Sequence, residues 1–367
     1  MLPPPSSYTE PHLQKHHGIF RKELSLLEAT SLIISGTIGA GILGLPFALQ
    51  HLGAPLAVLS LFVFGALTIF LNLLLGRLAE KAGRPLQLVG LAKHYLGRTG
   101  EILMSVVMYA TLFGVLTIYI IGAGEALQGL FGGDALGWST IFFAVASILV
   151  FLGLRTLKKT ELFLSLGILL VVLLLSFVSA GHIDREYLVA ANPFAALFPY
   201  GVLIFALHGT TSIPEAYSLL PHNVRAFRKA VVMAGISTVI VYMLFVVTVI
   251  GVTGPLTTPV ATIGLGEKVG PVVHVLANVF AILAMSTSFL MGSLALRDSL
   301  VWDWKVSRVT SSLFVCTVPF IIFMLGLRQF TAAIDVVGGW FMTIEILLIL
   351  AMALAAHVVV AKNKTTP

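Results

Sequence analysis

The chain has 367 residues, 58% of them apolar and 10% charged, with a mean hydropathy of +1.01; an average soluble domain has roughly 45–50% apolar and about 25% charged residues. This composition excludes an ordinary water-soluble fold, and no polar stretch between the apolar blocks is long enough for a second, soluble domain. The net charge of +6 does not signal nucleic acid, because the cations sit in short loops without an aromatic platform, and a lone Cys316 excludes an intrachain disulfide or a thiolate metal cluster.

Residues 1–23 contain Pro3, Pro4, Pro5, His16 and His17 and lack an apolar core, so they are expected to form a disordered cytoplasmic tail that is not cleaved. A helix crossing the hydrocarbon core needs about 20 apolar residues. Such segments occur near 26–50, 54–78, 104–129, 138–154, 161–180, 194–219, 229–253, 270–296, 309–327 and 335–360, within a single domain over 24–361 followed by a short tail at 362–367. The expected fold class is therefore an all-α integral membrane protein with about ten transmembrane helices. With a cytosolic amino terminus, only Arg185, Lys268 and Arg328 of the 22 Lys and Arg fall outside. This positive-inside asymmetry fixes the expected orientation, in a multi-pass plasma (cytoplasmic) membrane protein.

Segment one holds Ser35-Gly36-Thr37-Ile38-Gly39-Ala40-Gly41-Ile42-Leu43-Gly44-Leu45-Pro46 in the middle of an apolar span. Each Gly costs a helix about 1 kcal/mol relative to Ala. Two readings account for them: close packing through small residues, or an unwound stretch whose freed backbone faces a cavity. Gly39-Ala40-Gly41-Ile42-Leu43-Gly44 also satisfies GxGxxG, but the strand and soluble βαβ unit that a dinucleotide site requires are missing.

Segment six has a second interruption at the corresponding place, Phe205-Ala206-Leu207-His208-Gly209-Thr210-Thr211-Ser212-Ile213-Pro214-Glu215. Pro214 suits the first turn of a restarting half-helix. The interruptions lie five spans apart, an odd number, so the second half (about 194–360) enters the membrane from the opposite side to the first (about 26–180). The expectation is a five-plus-five inverted repeat with discontinuous helices 1 and 6, a pattern that points to a midplane binding site.

Residues 36–46 resemble the first-helix signature of the amino acid, polyamine and organocation transporter superfamily, and are closest to the tryptophan and tyrosine permeases and the amino acid/auxin permeases. The ten spans with breaks in one and six are similar to that superfamily over nearly the whole chain. The resemblance implies a secondary active transporter working by alternating access, with a neutral or aromatic amino acid as small-molecule partner, the lipid bilayer as surroundings, no cofactor, and sodium or a proton as coupling ion.

A zwitterion would find matching partners at such breaks. Amide groups near Gly39, Ala40 and Gly41 present the positive end of a half-helix to a carboxylate, and carbonyls near Ser35, Gly36, Phe205 and Ala206 suit an ammonium. Gly209 opens the second break, and Thr37, Tyr109, His208 and Thr210 are the side chains expected to select among amino acids. His208, about fourteen residues into segment six, either lines the pocket or hydrogen-bonds across helices.

For the coupling ion, Ser286, Thr287 and Ser288 lie in segment eight, and Thr287 and Ser35 are each nine residues from the cytosolic end of their spans. They either satisfy their own helix carbonyls or, with Ser35 and Gly36, surround a cation. The resemblance favours sodium at Ser35, Thr287 and Ser288, although sodium-coupled relatives carry Asn where Ser35 stands. Proton-driven relatives place a Lys in mid-segment five, whereas 162–171 holds only Ser165 and Gly167 among its small or polar residues. Glu345, about ten residues into segment ten, keeps proton coupling open, since intramembrane acids are functional by default. Glu215 is placed at an inner gate, and Glu125 and Asp335 near the outer surface. One charge descending 100 mV releases about 2.3 kcal/mol, roughly forty-fold in concentration, and no GxxxxGK[ST] motif supplies ATP energy.

A membrane enzyme is disfavoured, since neither HExxH nor a Cys/His cluster occurs. An amino acid sensor or channel-like protein on the same fold would present the same recognition residues.

Overall fold

A computed structural model describes residues 26–83, 86–152, 157–189, 192, 199–220, 223–303 and 305–365, and among these every regular element is helical. The amino-terminal tail and the last two residues of the other tail lie outside the described residues. Segment one consists of α1 (Leu26–Thr37) and α2 (Gly41–Leu49). A reversal at Gly53, φ 68°, leads into α3 (Gly53–Ala82), and Gly83 ends α3 in the left-handed conformation that glycine tolerates best. The next helix, α4 (Leu88–Phe131), contains segment three but is kinked at Gly97, φ 70°, so residues 88–96 form a helix ahead of the span. That prelude was not expected. Segments four and five are α5 (Ala135–Leu152) and α6 (Leu157–Ser179), followed by the short α7 (Arg185–Val189).

The second half repeats the plan. Segment six is α8 (Tyr200–Leu207) and α9 (Ser212–Leu219), and segment seven is α10 (Val224–Thr253), whose N-cap Asn223 accepts from the Ala226 amide at 2.9 Å. An additional helix, α11 (Ala261–Val269), precedes segment eight, α12 (Pro271–Asp303). Segment nine is α13 (Arg308–Met324). Segment ten starts as α14 (Phe330–Val336), passes through a π-helical stretch at Val337–Met342 and continues as α15 (Thr343–Thr365).

Six of the described helices are long and apolar enough to cross a membrane by themselves. Segments one and six fall short because they are broken, segment five because its apolar stretch among the described residues is confined to Leu169–His182, and segment nine because it has 17 residues, about 26 Å at 1.5 Å per residue. Segments one, two and three pack against six, seven and eight, each with its counterpart in the other half. Between segments two and seven the fit is reciprocal: Gly65 lies under Val239 and Gly235 under Ile69, the small-residue contact by which membrane helices approach closely. Large apolar side chains such as Phe62, Phe70, Ile148 and Phe177 stay exposed on the outside, where lipid would cover them.

Candidate functional site

Segment one leaves the helical path over residues 38–40, and segment six between Leu207 and Ser212. The four half-helices cross in two close contacts. A Cβ on Gly36 would sit 2.6 Å from Ser212 Cβ, and one on Gly41 would sit 2.5 Å from Ala206 Cα; Gly209 lies against Thr37. The packing of the first reading and the unwinding of the second are therefore both present: glycines pack the half-helices while the backbone between them leaves the helix.

Backbone groups freed at membrane depth need partners. The Ile38 amide donates back to Ile34 O at 2.8 Å, His208 N to Phe205 O at 3.3 Å, and the Ser212 hydroxyl to Gly209 O at 2.7 Å. Tyr242, fully buried in α10, donates its hydroxyl to Ala206 O at 2.9 Å and shares it with Thr37 O at 3.3 Å. One side chain thus ties the carbonyl ends of α1 and α8. Sequence reasoning passed over Tyr242, although a tyrosine in the middle of an apolar span carries a hydroxyl that must find a partner. Changing Tyr242 to Phe leaves both carbonyls dry and is expected to cost about 1–3 kcal/mol; an unaltered thermal midpoint of the purified variant would contradict that.

Three polar side chains meet beside the second break. Thr210, which is fully buried, donates to Glu345 Oε1 at 2.6 Å and lies 2.9 Å from His208 Nε2; His208 Nε2 and Glu345 Oε1 are 3.4 Å apart, and the Glu345 side chain is 1% exposed. Because the single Thr210 proton goes to Glu345, Thr210 accepts from His208, and the proton of a neutral imidazole sits on Nε2. A chain of hydrogen bonds therefore runs imidazole, hydroxyl, carboxylate. A carboxylate in a dry interior is tolerated when paired and hydrogen-bonded; Thr210 supplies the hydrogen bond, and His208 supplies the opposite charge only in its protonated form. The π-helical stretch ahead of Glu345 packs closely on segment six: Gly338 rests on the Gly201 carbonyl at the start of α8, a spot with no room for a Cβ. Single π turns inside α-helices recur at functional sites.

Tyr109, expected in the pocket, is not brought to the breaks. Its hydroxyl pairs with Ser299 Oγ at 2.8 Å, ten residues and so about 15 Å along the helix from Tyr119. Tyr119 takes the expected place: its hydroxyl would lie 3.3 Å from a Cβ on Gly39, and it hydrogen-bonds Ser288. Depth counting was the available signal, since Tyr119 sits mid-span and Tyr109 near the start of the span. Phe205 and Ala206 are brought against Gly41, as expected of the facing breaks.

The expected ring of Ser35, Thr287 and Ser288 is only partly assembled. Ser286 donates to Ile282 O at 2.6 Å, and Thr287 to Leu283 O and Ala284 O at 3.0 Å, both within α12. Among the described residues α1, which carries Ser35 and Gly36, packs chiefly on α6, α9 and α10 rather than on α12. Glu215 belongs to α9, and its side chain lies outside what is described. Glu125 accepts from the Phe330 amide that opens segment ten, and Asp335 from the Gly201 amide that opens α8; both carboxylates therefore cap helix starts instead of resting on solvation alone.

The profile of the tryptophan/tyrosine permease family matches residues 22–365. The chain belongs to that family. It is 25% identical over 356 residues to glutamine transporter 2 of Aliivibrio fischeri, covering 92% of this chain and 90% of the relative. It is 28% identical over 232 residues to tyrosine-specific transport system 1 of Haemophilus influenzae, covering 59% and 55%. Among solved structures, MhsT in complex with L-phenylalanine superposes with a TM-score of 0.65 at 14% identity, covering 89% of this chain and 88% of that one. The inward-facing conformation of Mhp1 gives 0.64 at 14% identity, covering 92% and 78%. The likeness to these two transporters concerns the fold: an all-helical inverted repeat. Family and relatives alike are transporters and not enzymes. Permease-family membership and apolar spans make the chain a multi-pass membrane protein.

Proposed function

We propose that this permease-family chain is a symporter of a neutral or aromatic amino acid, working by alternating access in the cytoplasmic membrane with its amino terminus in the cytosol. The single observation that carries the reading is the junction of the two breaks with a buried carboxylate, Glu345, hydrogen-bonded to Thr210 of segment six. Amides opening α2 at Gly39, Ala40 and Gly41 face the substrate carboxylate. His208, Thr210, Thr37 and Tyr119 shape the space for its side chain. Glu345 carries the coupling proton, since a proton on this carboxylate alters the hydrogen-bond chain that holds the segment-six break.

A second reading, sodium at Ser35, Thr287 and Ser288, is favoured by one detail. The Thr287 hydroxyl spends its proton on its own helix, so the oxygen keeps lone pairs for a hard cation. Uptake of an amino acid panel into proteoliposomes, with pH and sodium gradients imposed separately, distinguishes the two. Accumulation under the pH gradient alone supports the proton reading; accumulation only with sodium transfers the coupling to the hydroxyl pair. If His208 shapes selectivity, its exchange for Gln shifts the relative uptake of aromatic and small neutral amino acids by roughly ten-fold, the scale of one lost hydrogen bond. An unaltered ranking removes His208 from the pocket.

A further inference from the structure

Segments two and ten leave a hollow at the end that the charge asymmetry assigns to the cytosol. The cavity, about 100 Å³, has a floor of Leu74, Leu78, Ala353 and Ala356 and a rim of Arg77, Lys81 and His357. Its origin is a size mismatch: Ala353 and Ala356, three residues apart and so on one face of α15, stand opposite the leucines of α3. Arg77 and Lys81 are one helical turn apart, and like charges at that spacing repel. Among the described residues neither enters an ion pair, because Glu80, the nearby carboxylate of α3, is held by Arg228 of α10 at 2.9 Å. The hollow therefore combines an apolar floor with a rim of cations that have no carboxylate partner among the described residues.

We infer that this hollow seats the headgroup of an anionic phospholipid, its phosphate on Arg77, Lys81 and an N–H of His357 and the start of an acyl chain on the leucine and alanine floor. Phosphate is the chemistry the rim recognises, and the apolar floor favours a lipid over a free anion. The site is separate from the breaks in segments one and six, so it does not depend on the proposed transport reaction.

The test is native mass spectrometry of the full chain released from bilayers of equal phosphatidylglycerol and phosphatidylcholine. Wild type is expected to retain phosphatidylglycerol preferentially, and Arg77→Gln/Lys81→Gln to lose that preference, by about five-fold for each cation removed. Arg77→Lys/Lys81→Arg, which keeps the charge, is expected to behave as wild type. Ala353→Leu, which fills the floor and spares the rim, is expected to weaken retention. Equal retention of both lipids by wild type overturns the site, and so does a double Gln variant indistinguishable from wild type. Unchanged retention in Ala353→Leu overturns the hollow as the seat. Thermal stabilisation by inorganic phosphate in detergent, equal to that by phosphatidylglycerol, overturns the lipid assignment in favour of a soluble anion.

Discussion

Replacing Glu345 by Gln is expected to abolish accumulation driven by a proton gradient while leaving exchange of labelled for unlabelled amino acid intact. The side chain is buried between Thr210 and His208, and Gln keeps its volume and an oxygen that accepts from Thr210. What it loses is the ability to exist in two protonation states. A charge carried down 100 mV supports roughly forty-fold accumulation, and the variant should bring the internal amino acid no higher than the external. Ala at the same position is a poorer test. Removing one partner of a buried pair costs about 3–5 kcal/mol, and a folding defect would mimic lost coupling. Should Glu345→Gln retain uphill uptake under a pH gradient, the proton travels elsewhere, and the hydroxyls of segment eight become the coupling group to test.

A single methyl group at Gly41 should be strongly disruptive, because it falls where the two broken segments cross. Its Cβ would lie 2.5 Å from Ala206 Cα and 2.9 Å from Ala206 Cβ, where carbon atoms settle at about 3.5–4.0 Å. The nearer neighbour is helical backbone and the other is the methyl fixed to it, so relief requires α2 and α8 to part. Overpacking of this kind costs about 1–3 kcal/mol, and strain falling on the transporting conformation slows uptake roughly ten-fold for each 1.4 kcal/mol. Gly39→Ala is the control. There the added methyl meets only the Tyr119 hydroxyl at 3.3 Å, so the thermal midpoint should move far less. Equal destabilisation by the two variants would mean that the crossing of α2 and α8 is not the tight contact described.

Spans and breaks were legible because both arise from local composition. Apolar windows declare a helix in lipid, and the glycines of 36–44 and the Gly-Thr-Thr-Ser run after His208 declare where it fails. The partners of those breaks were not legible. Glu345 and Thr210 are 135 residues apart, and the π-helical stretch at Val337–Met342 that lies between α14 and Glu345 shifts the helical register in a way hydropathy does not record. Tyr109 was named and Tyr119 passed over, although depth along the span distinguishes them; the contact with Gly39 shows which one reaches the break. The short α11 and the helix before Gly97 escaped because neither is long enough to register as a span. The cation ring rested on equal depths of Ser35 and Thr287, and depth alone does not say whether two helices touch.

Counterflow in proteoliposomes reaches the central claim most directly. Vesicles holding the purified chain and loaded with an unlabelled amino acid are diluted into a trace of the labelled form, with no ion gradient imposed. Transient inward overshoot of label for at least one neutral or aromatic amino acid is predicted. Binding of label without overshoot, for every amino acid tried, would mean that the facing breaks recognise a ligand but do not carry it.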